Sequence, residues 1–155
     1  TENKIEHFVD EYGNVYATKQ ESTELPEGFY FPCVIAHTDT VHNIDTINIR
    51  EEVLPNAQRE EKLAYKAYND LGYPTGIGGD NKAGVFVCLE LLDRFDTIKA
   101  AFFVSEEVGC LGSYLSDPLF FENVGYAIQF DAPYNNWVSH YSDGVKLFSI
   151  EKFLR

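Results

Sequence analysis

Six acidic or imidazole side chains of this chain stand where hydrophobic segments begin or end. They are His37, Asp39, Asp80, Glu106, Glu107 and Asp131. Five of them follow short apolar runs at 33–36, 100–104 and 126–130, each of which predicts a buried strand. Ligands of open α/β sheets bind at the carboxyl edge of the strands, so we expect these side chains to meet there. Imidazole and carboxylate groups together are typical metal ligands.

The first pair, His37 and Asp39, leaves its strand with both side chains on the same side, because alternate residues of a strand share a face. In a metal site this spacing lets the histidine bind the ion while the carboxylate orients the ring from behind. The pattern alone is weak, because a surface turn or a hydrogen-bonded buried histidine more often explains it.

Asp80 lies in a glycine-rich segment, residues 78–84, that opens a predicted helix. The simplest explanation for an aspartate at this position is an N-cap. A glycine loop before a helix also suggests phosphate binding, but the order GxxxxGK[ST] is absent from the sequence. Phosphate binding is therefore disfavoured.

Glu106 and Glu107 are adjacent carboxylates at a strand exit, and they repel each other unless a cation or a shared proton compensates. Their simpler explanation is a first helical turn, where the helix dipole favours acidic residues. Asp131 precedes Ala132 and Pro133 and could equally be a turn residue. Each position has such an alternative, and only the joint order of the positions favours a metal site.

The remaining pattern predicts the elements that position these residues. We expect a weak helix over 1–10, strands at 15–18, 31–36, 99–105 and 125–130, helices at 81–95 and 111–114, and an antiparallel pair from 44–50 and 62–68. The main helix is apolar nearly all round, which predicts burial on both sides. Strands alternating with helices predict an α/β fold with a mixed, mainly parallel sheet layered between helices.

Composition excludes several classes of function. The net charge of −13 disfavours nucleic-acid binding, and no apolar run approaches the roughly 20 residues that cross a bilayer. The simplest explanation for most of the acidic residues is that they keep the protein soluble. The three cysteines, Cys33, Cys88 and Cys110, lie in apolar segments without CxxC spacing, so we expect no disulfide framework and no zinc knuckle. We expect a cytoplasmic protein, and we see no secretory signal.

Three motifs follow one another in a specific order: HTDTV at 37–41, GGDNKAG at 78–84, and EEVG at 106–109 after a hydrophobic strand. A further strand then ends at Asp131. This order resembles the di-zinc exopeptidase family of peptidase T, carboxypeptidase G and the aminoacylases, over about residues 10–131. The resemblance implies that this chain is the catalytic domain of a zinc exopeptidase. Each motif alone is weak evidence, but the three motifs in this order are specific.

The resemblance implies two divalent ions, zinc in the first place, with cobalt or manganese as alternatives. It assigns His37 and Asp131 to one ion and Glu107 to the other, and Asp80 would bridge both. Oxygen and imidazole ligands suit zinc, and paired ions neutralise carboxylates that would otherwise repel.

The resemblance also assigns the catalytic roles. Glu106 would be the general base, and Asp39 would fix the ring of His37. Members of the family carry a cis peptide bond after the bridging aspartate, which here predicts one between Asp80 and Asn81. The residues that bind substrate are not indicated.

One departure from the family pattern concerns its final histidine ligand. The only histidine after Asp131 is His140, which lies in a polar stretch and is a weak candidate. We therefore expect a single catalytic domain over 1–155 that is truncated at its C-terminus, without the lid domain that many members insert. His7 and His42 are expected on the surface.

Two further nucleophiles are disfavoured. Ser105 precedes two acids but lacks a GxSxG elbow, and Cys33 lies within a strand and is expected in the core.

The sequence thus predicts a metal-dependent hydrolase of amide bonds in short peptides, similar to an aminopeptidase or tripeptidase. One alternative is an N-acyl amino acid deacylase, which would use the same site. The others are a non-catalytic metal-binding interaction domain and an acidic α/β domain without metal. The expected partner is a short peptide or N-acyl amino acid; no nucleic acid or membrane is expected, and a homo-oligomer is compatible with the sequence.

Overall fold

A computed structural model describes residues 5–41, 47–53 and 63–131. Its elements are β1 (Ile5–Val9), β2 (Val15–Gln20), β3 (Phe31–His37), β4 (Asn48–Val53), β5 (Leu63–Tyr68), β6 (Pro74–Thr75), α1 (Gly79–Arg94), β7 (Thr97–Phe103), α2 (Leu111–Tyr114), α3 (Pro118–Phe121) and β8 (Val124–Gln129). The chain divides into two compact units, Thr1–Asp39 with Asp80–Arg155, and Thr40–Gly79. Within the described ranges, no helix has the length and apolar character needed to span a membrane.

The first unit contains a five-stranded sheet in the order β1-β2-β7-β3-β8. Strand β3 is parallel to both of its neighbours, β7 and β8, whereas β2 is antiparallel to β1 and β7. Four strands therefore point the same way and only β2 is reversed. This arrangement confirms the mixed α/β sheet predicted from the sequence.

The two faces of this sheet form separate apolar clusters, because successive side chains of a strand point to opposite faces. One face packs against Cys88 and Leu92 of α1, and the other packs against Phe120 of α3. Strand β3 supplies Val34 and Ala36 to the first cluster and alternate residues to the second. The sheet is thus layered between helices, as predicted, and its central strands are fixed in register.

A buried lysine ties α3 to the sheet. Lys99 Nζ donates to the carbonyl oxygen of Phe120 at 2.5 Å and to Asn123 Oδ1 at 2.6 Å, and it lies 4.4 Å from the centre of the Phe120 ring. Burial lowers the pKa of Lys99, since a low-dielectric environment disfavours its charged form. These contacts offset part of the free-energy cost of removing the charged amine from water.

The prediction that α1 is buried on both sides is wrong for the described residues. Cys88 and Leu92 are buried, but Phe86 is 63% exposed and Leu89 is 54% exposed. A helix lying on one sheet covers only one face, and the apolar character of a residue does not determine which face it takes.

The predicted helix at the start of the chain is also wrong where the structure describes it, because residues Ile5–Val9 form strand β1. Each of them pairs with a residue of β2, and the ring of Phe8 stacks on Tyr16 at 4.8 Å. Pairing with a neighbouring strand overrides weak local propensity here.

The second unit carries the predicted antiparallel pair, with bounds shifted along the chain. Strand β4 pairs with β5 over its whole length, and β5 also pairs with the short β6. On this small sheet Glu52 accepts a hydrogen bond from Tyr68 and pairs with Lys66 at 2.7 Å. In the described part of the chain, this unit is a small antiparallel sheet of three strands.

Candidate metal centre

The carboxyl ends of three adjacent parallel strands converge on one imidazole. His37 is the last residue of β3 and lies opposite Phe103, the last residue of β7. Beyond the strands, the amide of Thr38 donates to the Phe103 carbonyl at 2.8 Å, and the amide of Phe130 donates to Ile35 at 3.0 Å. These bonds bring the chain after β7 and after β8 to the same edge, as the sequence predicted.

Carboxylates from three different segments surround His37, whose side chain is 2% exposed. Its Nε2 atom lies 3.0 Å from Asp80 Oδ1, 3.6 Å from Asp131 Oδ1 and 3.8 Å from Glu106 Oε2. Carboxylates that are far apart in sequence thus lie near enough to this imidazole to bind the same ion. Their roles as ligands stay predictions.

Asp39 fixes the turn that follows β7. Its Oδ1 accepts the amide hydrogen of Glu106 at 3.0 Å, and its Oδ2 accepts that of Glu107 at 3.1 Å. Burial raises the pKa of Asp39, but these two donors outweigh it and the pKa is lowered overall. Asp39 is therefore a carboxylate that holds both glutamates in place.

Asp39 also lies behind the imidazole, where the sequence predicted it. Its Oδ1 is 3.4 Å from His37 Nδ1, a buried nitrogen that makes no hydrogen bond within the described part of the chain. Asp39 is thus close to the ring nitrogen that a supporting carboxylate would accept from in a metal site, although no hydrogen bond joins the two groups here.

The charges of this cluster are unbalanced. Burial lowers the pKa of His37, but the hydrogen bond to Asp80 and the charges of Asp131 and Glu106 raise it overall. Burial raises the pKa of Asp131; the charge of His37 opposes this rise, and the charges of Asp80 and Glu106 add to it. A partly buried carboxylate that lies close to other acidic side chains would be stabilised in its charged form by a cation.

Within the part of the chain that the structure describes, two sets of donor atoms lie close enough to share a cation. They are His37 with Asp80 and Asp131, and His37 with Glu106 and Glu107, and within each set the ligand atoms lie within 4.8 Å of one another. An imidazole nitrogen with carboxylate oxygens is a donor set that suits zinc. The residues therefore fit the zinc ions that the resemblance implies. Because Glu106 belongs to the second set, this geometry also allows Glu106 to bind an ion.

The hydrogen bonds at the start of α1 explain why the Asp80 carboxylate can contact His37. Asn81 Oδ1 accepts the amide hydrogen of Gly84 at 3.0 Å, so Asn81 caps the helix and Asp80 contacts His37 instead. The simple N-cap explanation for Asp80 is therefore wrong. The peptide bond between Asp80 and Asn81 is cis, as the resemblance predicted.

Sequence reasoning missed Asn14, which holds the end of β7. Its buried side chain accepts the amide hydrogen of Val104 at 3.1 Å and donates to Gly112 at 3.0 Å and to Asp10 Oδ2 at 2.8 Å. The spacing of the sequence does not indicate this contact, and only the structure shows that Asn14 braces the segment carrying Glu106.

Other sequence candidates lie away from this cluster. His7 is exposed on β1, and Cys33 is buried in the core, where burial raises its pKa to about 12. Ser105 has a positive φ of 55° at the strand exit and makes no catalytic pair in the described segments. His42 and His140 lie outside the described residues.

Gly84 lets α1 approach the strand exit that leads to Asp131. A Cβ atom at this position would collide with Asn81 Oδ1 and with the carbonyl oxygen of Phe130. We expect Gly84→Ala to lower the free energy of unfolding by about 1–3 kcal/mol, the usual cost of overpacking. Urea unfolding of the metal-free protein measures this difference.

Gly79→Ala is the matched control, because among the described residues its Cβ would meet only Ile77 Cγ2 at 3.6 Å, an ordinary contact. Equal unfolding free energies for wild type and Gly84→Ala would show that the close approach of α1 to Phe130 does not contribute to stability.

Comparison with protein-family models and with curated protein sequences finds no match. Among solved structures, a tripeptidase from Staphylococcus aureus matches with a TM-score of 0.55 and 21% identity, over 83% of this chain and 34% of the tripeptidase. An aminoacylhistidine dipeptidase from Vibrio alginolyticus matches with a TM-score of 0.57 and 21% identity, over 83% of this chain and 26% of the dipeptidase. This chain has a peptidase-like fold. The family resemblance inferred from the three motifs is therefore confirmed in fold, and the chain spans about a third or less of each peptidase.

Proposed function

We propose that this chain carries the core of a zinc-dependent peptidase that hydrolyses short peptides. The observation that supports it best is the convergence of Asp80, Glu106 and Asp131 on the buried imidazole of His37. Scattered N-caps and turn residues would have no reason to meet at one buried nitrogen. The similarity in fold to a tripeptidase and a dipeptidase supports peptides as the substrate class.

We assign the metal ligands as the resemblance implies. His37 and Asp131 would hold one zinc ion, Glu107 would hold a second, and Asp80 would contribute to both. Zinc, when bound, supplies Lewis-acid polarisation of an amide carbonyl and lowers the pKa of water. Cobalt or manganese could replace it, because the donor atoms are nitrogen and oxygen.

Glu106 is assigned as the general base. Its side chain is 28% exposed, and its Oε2 faces the imidazole at 3.8 Å, so one oxygen points toward the site while water has access. The carboxylate takes a proton from the water that attacks the amide carbon. As the carbon–nitrogen bond breaks, Glu106 returns that proton to the leaving amine.

Asp39 acts through its neighbours and does not touch the substrate in this proposal. By accepting both amide hydrogens of the turn, it keeps Glu106 and Glu107 at a fixed distance from His37. Such supporting contacts orient ligands and raise metal affinity.

The expected substrate is a free short peptide in the cytoplasm, and no membrane or nucleic acid takes part. A deacylase acting on N-acyl amino acids would use the same residues, because the bond that breaks is also an amide. The two activities differ only in the group beside that bond.

The test is hydrolysis by the purified full-length protein after loading with zinc. Release of free amino acids from a tripeptide, a dipeptide and an N-acetyl amino acid is measured by chromatography, with and without a chelator. We expect chelator-sensitive cleavage of the peptides that added zinc restores. Cleavage of the N-acetyl amino acid alone would indicate a deacylase, and cleavage of none of the three would contradict an enzyme of this class.

A further inference from the structure

Cys110 lies in the turn after β7, with its thiol beside the assigned general base. The distance from Cys110 Sγ to Glu106 Oε1 is 3.4 Å, and the amide of Cys110 donates to the Glu106 carbonyl at 2.8 Å. A thiol is a weak donor and an ionised carboxylate is a strong acceptor, so the thiol donates this bond. The backbone contact places the two side chains one turn apart.

The two carboxylate oxygens of Glu106 therefore have different neighbours. Oε1 faces the thiol of Cys110, whereas Oε2 faces His37 Nε2 at 3.8 Å. A hydrogen bond to Oε1 restricts rotation of the carboxylate and leaves Oε2 directed into the metal centre. A general base needs this kind of fixed orientation toward the proton that it receives.

The backbone at Cys110 gives an independent reason to assign the side chain a role. Its φ is +57°, in the left-handed region where glycine is favoured and other side chains are strained. The residue precedes α2 as its N-cap, yet its side chain makes no capping hydrogen bond. Glycine would suit the backbone better, so the contact of the thiol with Glu106 offers a reason for a side chain at this position.

The other two cysteines have different surroundings. Cys33 and Cys88 are buried in the apolar clusters of the sheet, where burial raises the pKa of each thiol to about 12. Cys110 is half-buried and contacts a carboxylate. The sequence places all three in apolar segments and does not indicate the contact between Cys110 and Glu106.

We propose that Cys110 is a positioning residue that orients the carboxylate of Glu106 for proton transfer. The inference rests on the proposed function of Glu106, and it adds a residue that acts on this carboxylate through the hydrogen bond from its thiol. It predicts that a hydroxyl can replace the thiol, whereas a methyl group or a hydrogen atom cannot.

The kinetic test compares three variants of the zinc-loaded full-length protein. Cys110→Ala and Cys110→Gly are expected to lower kcat for a tripeptide about tenfold at unchanged KM, while Cys110→Ser keeps most of the rate. The glycine variant is informative because it relieves the backbone. Full activity of Cys110→Gly would overturn the proposal, and so would failure of serine to restore the rate.

Ser113→Ala provides the matched control for a purely structural effect. Ser113 Oγ donates to the Cys110 carbonyl at 3.0 Å, so its loss loosens the same turn without touching the carboxylate of Glu106. We expect kcat of Ser113→Ala to stay within about twofold of wild type. A loss as large as that of Cys110→Ala would assign the effect to the turn and contradict a role for the thiol.

A second readout does not depend on activity or on metal. The infrared S–H stretching band of Cys110, identified in the metal-free protein by its loss in Cys110→Ser, is expected to move to higher wavenumber in Glu106→Gln. A neutral amide oxygen accepts a weaker hydrogen bond than a carboxylate does. An unmoved band would overturn the proposal even in an active enzyme, whereas a shifted band in a protein that cleaves no peptide would contradict only the proposed function.

Discussion

Glu106→Gln is expected to lower kcat for tripeptide hydrolysis by about 10²–10⁴-fold, the range that a positioned general base contributes. Glutamine has nearly the same shape as glutamate but cannot take a proton at neutral pH. In the hydrogen bond to the Asp39 carboxylate, Glu106 takes part only through its backbone amide, so the turn should keep its geometry. Initial rates at saturating peptide, compared with those of wild type, measure the loss.

Glu90→Gln is the matched control for the change of charge. Glu90 lies on the exposed side of α1, where it pairs with Arg94 at 3.2 Å, and exposed pairs of this kind contribute little. We expect its kcat to equal that of wild type. Wild-type activity in Glu106→Gln would show that another group accepts the proton.

The zinc content of Glu106→Gln separates two roles that the geometry allows. Glu106 and Glu107 both lie in a donor set with His37, so either carboxylate could bind an ion. A base can be neutralised without loss of metal, whereas a ligand cannot. We expect unchanged zinc content, and loss of about one ion per chain would reassign Glu106 as a ligand.

The sequence predicted the central strands well, because long-range pairing and local pattern agree there. Strands β3 and β7 are largely apolar and are buried almost throughout, a pattern that few other elements produce. Strand β8 is apolar in sequence but lies at the edge of the sheet, where its residues are half-buried or exposed, so the predicted burial of this strand is wrong. The polar successors of the three strands, among them His37 and Asp131, had to meet at one edge once the strands were parallel.

Elements outside this core were harder to predict. Strand β1 depends on pairing with β2, and its own residues are exposed, so no buried pattern identifies it. The apolar surface of α1 at Phe86 and Leu89 looks like a core face in sequence, since exposure depends on what lies beside a helix. Neither feature can be predicted from a short stretch of sequence, because each depends on neighbours in the folded protein.

The supporting contacts of the site were not predictable at all from spacing. Asn14 reaches Gly112 across 98 positions of sequence, and the contact between Cys110 and Glu106 requires a left-handed residue in a tight turn. The role of Asp39 was partly predictable, because its place behind His37 follows from strand geometry. Its two bonds to the turn after β7 depend on how the two segments meet.

The second large effect concerns zinc itself. A ligand that binds only the folded state stabilises it by about 2.7 kcal/mol at 100 times its Kd, which for a chain of this size raises Tm by about 5–10 °C. We expect such a zinc-induced rise in wild type and none in His37→Ala, because the buried imidazole belongs to both donor sets. Calorimetry with and without zinc, together with elemental analysis of the dialysed protein, measures both effects.

Two further variants show whether the loss is specific. His7→Ala removes a histidine that is exposed on β1, so its zinc-induced rise in Tm should equal that of wild type. Asp39→Asn keeps every assigned ligand but replaces one of the two acceptor oxygens that hold Glu106 and Glu107, so we expect zinc affinity to fall about 10–100-fold. An undiminished rise in His37→Ala would remove the imidazole from the metal centre. Equal losses in Asp39→Asn and His37→Ala would make Asp39 a ligand, because a carboxylate that only orients its neighbours weakens zinc binding without abolishing it.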